Sequence, residues 1–240
     1  MSEILFFAAA FVSELIGTIA GFGSSTIFLP LSLFFVDFKT ALALVAFFHF
    51  SGNVGRLLFF GKSVDLKITP LFAAFSFAFA LLGAWLAIQA PAALLKMLLG
   101  VFLVAYSLYS FVSPNFVLRS SKPMIVLGGA SSGFLAGLIG TGGALRSAFV
   151  LGFRLDKEKY VATMAVASIA ADLARTPLYL ASGFLEASQY YYLPILFAIA
   201  LLASFAGKKV VQRLREELFR KIVLLALLLI GLKFVADYFA

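Results

Sequence analysis

Long apolar segments alternate with short polar connections over the whole chain. Segments of about 18 or more apolar residues are typical of transmembrane helices, whereas clearly shorter ones cannot cross a hydrocarbon core of ~30 Å. The pattern predicts ten helical segments, of which the second and the seventh are short. Their predicted ranges are 3–20, 24–36, 40–60, 67–89, 93–112, 123–139, 144–153, 158–180, 189–207 and 217–238.

The ten segments fall into two similar sets of five. The glycine-rich stretch 140–144 follows a similar stretch, 21–25, by 119 residues, and the same offset carries Asn53 onto Asp172 and Arg56 onto Arg175. Matches of rare intramembrane polar residues at one offset indicate an internal duplication. We therefore predict a first membrane repeat at 1–114 and a second at 115–240, joined in one integrated transport domain.

Each repeat is predicted to begin with a helical hairpin whose tip is rich in glycine, and to continue with three transmembrane helices. The hairpin either spans the membrane or is re-entrant. Its non-helical tip must be buried in protein or line a cavity, because lipid cannot satisfy bare backbone groups. An odd number of crossings per repeat inverts the second repeat relative to the first. The predicted fold class is thus an all-α integral membrane protein with two inverted repeats.

The basic residues orient this arrangement. With loop 208–221 in the cytoplasm, 13 basic loop residues face inwards, and Lys39 and Lys96 face outwards, as the positive-inside rule requires. Both termini are then predicted to be extracytoplasmic, in a cell inner or plasma membrane. The 13 are Lys62, Lys67, Arg119, Lys122, Arg154, Lys157, Lys159, Lys208, Lys209, Arg213, Arg215, Arg220 and Lys221.

Composition supports a membrane protein and excludes several other classes. The chain is 63% hydrophobic and 12% charged, against about 45–50% and about 25% in soluble domains. Its net charge of +8 follows from the inward loops and does not indicate nucleic-acid binding. With no cysteine and one histidine, His49, neither a metal site nor an enzyme is expected. Residues 1–20 lack Lys and Arg, so a cleaved signal peptide is not expected.

The two glycine-rich tips are the first candidates for substrate binding. Glycine lets the chain turn sharply and brings amide N–H groups close to a ligand, and a half-helix that starts at such a tip favours an anion. The alternative is close helix packing through small residues. The predicted binding residues at the tips are Gly23, Ser24, Ser25, Thr141, Gly142 and Gly143.

The third segment of each repeat, 40–60 and 158–180, carries polar residues on one face. His49, Asn53 and Arg56 are spaced i, i+4, i+7, and Ser168, Asp172 and Arg175 repeat this spacing. Ionisable residues inside spans usually face a cavity or a partner, so Asn53, Arg56 and Arg175 are predicted to bind substrate. The structural alternative is an Asp172–Arg175 ion pair with Arg56 reaching the interface.

Four further predictions concern single charged residues and possible partners. His49, Asp172 and Glu14 are candidates for coupling to H⁺ or Na⁺, and a structural role for His49 or pairing of Glu14 with an arginine is the alternative. Arg146 either reaches the cytoplasmic face or lines the same cavity as the tip. Asp37 and Asp156 are predicted helix N-caps. A homodimer is compatible with a compact permease of this size, and no cofactor is expected.

The glycine-rich tip that ends in Pro30, its recurrence at 140–144 and the duplication resemble the sulfite exporter TauE/SafE family. The family motif is Gly-x-Gly-Gly-Gly followed by apolar residues and proline. The first copy has Ser24 and Ser25 at two of these glycines, and the second has Ala144 at one, with Phe149 in the place of Pro30. The resemblance covers nearly the whole chain and implies a permease for small sulfur-containing anions.

The resulting functional hypothesis is a secondary transporter that exports small organosulfur and related anions, such as sulfonates and sulfite. It would work by alternating access around a site between the tips. Another small anion, such as a carboxylate, is one alternative. A cation or neutral solute bound by Asp172 and Glu14 is a second. A membrane-embedded enzyme is a third, poorly supported because no paired nucleophile and base are visible.

Overall fold

The computed structural model describes residues 2–20, 23–113, 120–210 and 216–239, and it contains only helices and connections there. The α-helices of this part of the chain are α1 (Ser2–Ala20), α2 (Ser25–Ser32), α3 (Phe38–Phe60), α4 (Thr69–Gln89), α5 (Ala92–Val112), α6 (Lys122–Ile139), α7 (Gly143–Leu151), α8 (Lys157–Ala181), α9 (Tyr192–Val210) and α10 (Glu216–Phe239). Short 3-10 helices occupy Gly61–Ser63 and Ala187–Gln189.

Some residues of the first glycine-rich stretch and of the basic loops are not described by the structure. Gly21, Phe22, Arg119, Arg213 and Arg215 lie outside the described residues, as do the side chains of Lys208, Lys209 and Arg220.

The helix order confirms the all-α membrane fold predicted from the apolar segments. The largest difference is at α2, predicted to reach residue 36 but ending at Ser32. The chain leaves the helix there in a turn, in which the Phe34 amide donates to Leu31 O and the Phe35 amide to Ser32 O. At the start of α3, the Asp37 side chain accepts from the Lys39 and Thr40 amides, as an N-cap should. Asp156 holds the equivalent position before α8 without such a bond.

The two short helices cannot cross a membrane alone. Helix α2 has 8 residues and α7 has 9, which at 1.5 Å per residue makes them roughly 12–14 Å long. Among the described residues, six helical segments are long and apolar enough to cross: Phe38–Leu58, Thr69–Gln89, Ala92–Val112, Lys122–Ile139, Ala187–Gly207 and Lys221–Phe239. The chain is therefore a multi-pass membrane protein.

The helices of the two predicted repeats interleave. Helix α4 packs against α6 and α8, while α9 packs against α1 and α3. Helices α1, α3, α4 and α5 of the first repeat correspond to α6, α8, α9 and α10 of the second. When each helix is replaced by its counterpart, the α4–α6 and α4–α8 contacts become the α9–α1 and α9–α3 contacts, and the α3–α8 and α5–α10 contacts are unchanged. This pattern is what an internal two-fold relation would produce, although the inverted orientation in a membrane stays a prediction. The polar faces of α3 and α8 consequently meet in the interior.

Glycines let α4 and α6 touch backbone to backbone. A Cβ atom at Gly133 would lie 2.7 Å from Ser76 Cα and 2.9 Å from its carbonyl carbon, and one at Gly129 would lie 2.6 Å from Phe72 O. Small residues at a helix crossing are a common means of association in membranes, where lipid removes the hydrophobic driving force between helices. The α4–α6 pair therefore forms a tight support behind the interior polar residues.

Candidate functional site

The two glycine-rich turns meet in the centre of the molecule. Gly23 precedes α2 with a φ of +85°, and Gly140 follows the last residue of α6 with a φ of +78°. Residues other than glycine rarely adopt this backbone conformation. A Cβ at Gly23 would lie 3.5 Å from Gly143 Cα and 3.6 Å from His49 Nε2. Gly23 therefore lies next to both Gly143 and His49.

Hydrogen bonding and close packing hold the tips in place. The hydroxyl groups of Thr26 and Thr141 are 2.8 Å apart and share a hydrogen bond. A Cβ at Gly17 would overlap the backbone of Ser24, and one at Gly142 would overlap the Ser132 carbonyl oxygen. Each short helix is thus seated closely on the long helix that precedes it.

Ser24 and Ser25 are both buried at the start of α2. Ser24 stands at the N-cap position without making a side-chain cap bond. Its Oγ atom is buried and has no hydrogen-bond partner within the described ranges. A buried polar atom of this kind is uncommon and leaves a hydroxyl donor next to the tip.

His49 connects the two repeats. Its Nδ1 atom is 2.8 Å from Asp172 Oδ2, and both side chains are almost completely buried. The Asn53 amide donates to the His49 carbonyl oxygen at 2.7 Å, one helical turn earlier on α3. Since Nδ1 is engaged by Asp172, Nε2 is the ring atom that faces the glycine tip.

Arg56 is paired inside the protein. Its Nη2 donates to Glu14 Oε1 at 2.6 Å and its Nη1 donates to Asn53 Oδ1 at 2.8 Å. Ser204 on α9 also donates to Glu14 Oε1, at 2.7 Å. Arg56 is only 8% exposed, so it does not extend to the interface. The pairing of Glu14 with an arginine, one of the two alternatives raised by the sequence, is present.

Arg175 forms the ion pair that the sequence offered as the alternative to substrate binding. Its Nε and Nη2 donate to Asp172 Oδ1 at 3.0 and 2.8 Å, and its Nη1 donates to the Ala136 carbonyl oxygen at 2.6 Å. One turn further on, the Tyr179 hydroxyl donates to the Gly137 carbonyl oxygen. Arg175 therefore ties α8 to the end of α6 and steadies the carboxylate that holds His49.

A cavity of about 50 Å³ lies where the tips meet α3 and α8. It is small next to the pockets of drug-sized ligands, which are ~300–1,000 Å³. Four of the predicted binding residues, Gly23, Asn53, Arg56 and Gly143, lie at its wall. The other five are not part of the wall: Ser24, Ser25, Thr141, Gly142 and Arg175. The full lining is Gly17, Gly23, His49, Asn53, Arg56, Gly143, Tyr160, Val161, Met164, Ala165 and Ser168.

Apart from Ser168, the α8 residues of this wall were not predicted from the sequence. Residues 160, 161, 164, 165 and 168 share one helical face by their spacing, and extending that face backwards from Ser168 would have found them. Gly17 was also missed. It could have been recognised as a glycine in the first leg of the hairpin that faces the second leg. Because Gly17 has no side chain, the backbone of Ser24 can pack directly against it.

Arg146 on α7 is buried, with 1% of its surface exposed, so it does not reach the cytoplasmic face. Its Nη1 donates to Ser168 Oγ at 2.5 Å. Ser168 belongs to the cavity wall, which places Arg146 directly behind that wall. No group of three or more His, Asp or Glu residues that could hold a metal ion occurs in the described part of the chain.

The opposite side of the tips is closed by apolar packing. The Phe28 and Phe48 rings have centroids 4.8 Å apart, and a Cβ at Gly140 would meet Leu29 and Leu42 at 2.7 and 2.6 Å. By the repeat offset of 119, the partly exposed cavity residues Tyr160, Val161 and Met164 correspond to Ala41, Leu42 and Val45, which are completely buried. Equivalent faces of α3 and α8 are thus closed in one repeat and open in the other.

Comparison with known proteins gives one match. A family model described as Sulfite exporter TauE/SafE matches residues 5–234, nearly the whole chain. No curated protein and no solved structure matches. The family is one of membrane transporters for anions such as sulfite, which agrees with the apolar helices. This chain belongs to the sulfite exporter TauE/SafE family.

Proposed function

We propose that this protein is a secondary transporter that exports small sulfur-containing anions, such as sulfite or an organosulfur anion like a sulfonate, across the inner membrane. The observation that carries the proposal is the cavity where both glycine tips meet His49, Asn53 and Arg56. Its wall offers hydrogen-bond donors from repeat-related elements, as expected for a substrate site between transporter repeats. Membership of the TauE/SafE family supports an anion as substrate.

The substrate anion would accept hydrogen bonds from Ser24, Asn53 and the backbone of the tips. Ser24 supports this role because its buried hydroxyl has no other partner in the described structure. The Gly143 amide at the start of α7 adds a favourable dipole. Arg175 would act one step back, by holding Asp172 and through it His49, as a positioning residue.

The cation alternative is less well supported by these contacts. It needs the carboxylates of Glu14 and Asp172 for substrate, yet each accepts from an arginine at 2.6 to 2.8 Å. A neutral or cationic solute would have to displace these pairs. No observation favours an enzyme over a transporter.

On α3 the cavity residues extend to Arg56, close to the C-terminal end of the helix and the connection Gly61–Ser63. On α8 they begin at Tyr160, close to the N-terminal end of the helix and residues 152–156. Both connections are the ones predicted to be cytoplasmic, with both termini extracytoplasmic. We therefore assign the structure to the cytoplasm-facing state. Exchange of the open and closed faces of α3 and α8 would then produce the opposite state, driven by an H⁺ or Na⁺ gradient or by the anion's own gradient.

Solute counterflow in proteoliposomes tests the proposal. The panel is sulfite, a sulfonated carboxylate, a plain dicarboxylate and a neutral analogue, with H⁺ and Na⁺ gradients imposed in turn. Ser24→Ala should slow anion transport about tenfold, the loss typical of one hydrogen bond to a charged group. Ser107→Ala is the matched control, because Ser107 Oγ in α5 is also buried without a partner in the described structure.

Movement of sulfur anions that is sensitive to Ser24 and insensitive to Ser107 would support the proposal. Failure of the wild type to move any anion would reject it. Preference for the neutral analogue would favour the alternative of a neutral or cationic solute.

A further inference from the structure

Arg146 differs from the other buried arginines of the described chain. Arg56 has Glu14 at 2.6 Å and Arg175 has Asp172 at 2.8 Å. No carboxylate of the described residues lies within 4.0 Å of Arg146. Its Nη1 donates only to the neutral hydroxyl of Ser168, and its Nε is buried without a hydrogen-bond partner in that part of the chain.

The buried charges do not balance. Over the described residues, the buried charged side chains are three arginines and two carboxylates, so with a neutral His49 they leave one positive charge. Both carboxylates already have hydrogen-bond donors of their own, since Glu14 accepts from Arg56, and Asp172 accepts from Arg175 and His49. A buried cation without a counter-ion is costly in a membrane interior and is usually functional.

The unbalanced charge adjoins the cavity. Ser168 accepts from Arg146 and forms part of the cavity wall, so its own hydroxyl hydrogen is left to donate into the cavity. Gly143, three residues before Arg146 on α7, lines the same wall. Across the cavity, Gly23 is followed by Ser24, whose buried Oγ also lacks a partner in the described structure. The hydroxyl groups of Ser168 and Ser24 can both donate, which suits a ligand that offers acceptors.

Resting on the proposed transport of anions, we infer that Arg146, acting with Ser168, supplies the positive charge that the substrate neutralises, and that the cavity is matched to an anion with a single negative charge. A monosulfonate and hydrogen sulfite have this charge, whereas sulfite and disulfonates carry two. The residue that recognises charge is then Arg146 and not Arg175, whose charge is already paired within α8.

The test compares Arg146→Gln, Arg146→Lys and the control Arg154→Gln in counterflow of radiolabelled ethanesulfonate. Arg154 is exposed and outside the cavity wall, so its substitution removes the same charge elsewhere. Arg146→Gln should lower transport at least about tenfold, consistent with the loss of one charged hydrogen bond. Arg146→Lys should keep part of the activity, and Arg154→Gln should match the wild type. Ethane-1,2-disulfonate should compete at least about tenfold less well than ethanesulfonate.

Thermal melting in detergent separates substrate binding from a structural role. Removal of an unpaired buried charge should leave the Tm of Arg146→Gln without anion equal to or above that of the wild type, while ethanesulfonate should raise the Tm of the wild type only. Wild-type transport of ethanesulfonate with full activity in Arg146→Gln would overturn this inference alone, as would a fall in the anion-free Tm or equal competition by the disulfonate. Absence of any anion transport by the wild type would reject the proposed function and this inference together.

Discussion

Glu14 shows how a single carboxylate organises several helices. It lies in α1, is completely buried, and accepts from Arg56 on α3 and Ser204 on α9. A Cβ at Gly52 would lie 2.6 to 2.7 Å from its carboxylate atoms, so a side chain at that position would displace it. The position of Arg56 in the cavity wall thus depends on a residue of α1.

Glu14→Gln should destabilise the protein by about 3–5 kcal/mol, because it leaves the Arg56 guanidinium buried beside a neutral group. The free energy of unfolding in mixed micelles measures the loss. The double variant Glu14→Gln with Arg56→Gln serves as the control and should be more stable than Glu14→Gln alone. An additive loss in the double variant would contradict a pairing role.

At the scale of helices, backbone contact between α4 and α6 takes the place of side-chain interdigitation. The Cβ overlaps at Gly129 and Gly133 involve backbone atoms of α4, which cannot rotate aside as a side chain can. Ala136, whose carbonyl oxygen accepts from Arg175, lies on α6 together with these two glycines. The position of α6 against α4 therefore affects how Arg175 and Asp172 are held.

Gly133→Ala should destabilise the protein by about 1–3 kcal/mol, since overpacking forces the two backbones apart. The matched control is Gly61→Ala, because a Cβ at Gly61 would meet no atom within 4 Å and its φ is −60°. Melting temperatures of both variants in detergent provide the comparison. A Gly133→Ala protein as stable as Gly61→Ala would show that the crossing can relax without cost.

The elements were predictable from the sequence to a much greater degree than their partners. Apolar runs mark where helices lie, and Gly23 and Gly140 mark the turns, because these features depend on neighbouring residues only. The partner of Arg56 could not be read in this way, since Glu14 lies 42 residues away and competes with Asn53. The His49–Asp172 contact spans 123 residues and follows only from the packing of α3 on α8. Because these two long-range contacts occupy both buried carboxylates, they also determine that Arg146 has no carboxylate partner among the described residues.

At the scale of the whole molecule, the two repeats differ in conformation although they share a pattern. Val161 and Met164 line the cavity, whereas their counterparts Leu42 and Val45 are completely buried. Two equivalent faces in different states are what alternating access around a fixed site requires. In the proposed mechanism, the asymmetry between the repeats is the difference between the open and the closed side of the site.

Single-cysteine labelling can test this asymmetry, because the native chain has no cysteine and so gives no background. Val161→Cys should react with a membrane-impermeant maleimide from the cytoplasmic side only. Leu42→Cys should react from the opposite side only, and at a higher rate when substrate drives turnover. Trp85→Cys, on a side chain that is 55% exposed on α4, should react at a rate that turnover does not change. Labelling of both test positions from the same side would exclude the proposed exchange of faces.

The contact between Glu14 and Ser204 also has a consequence for biosynthesis. The two residues are 190 positions apart, and ribosomes add ~5–20 residues per second, so α1 waits roughly 10–40 s in the membrane for this partner. Arg56 is made much earlier and can shield the Glu14 carboxylate during that interval. We expect the nascent chain to be held first by the α1–α3 ion pair and closed later by α9, so that premature termination before α9 leaves a pre-formed polar defect for membrane quality-control proteases to recognise.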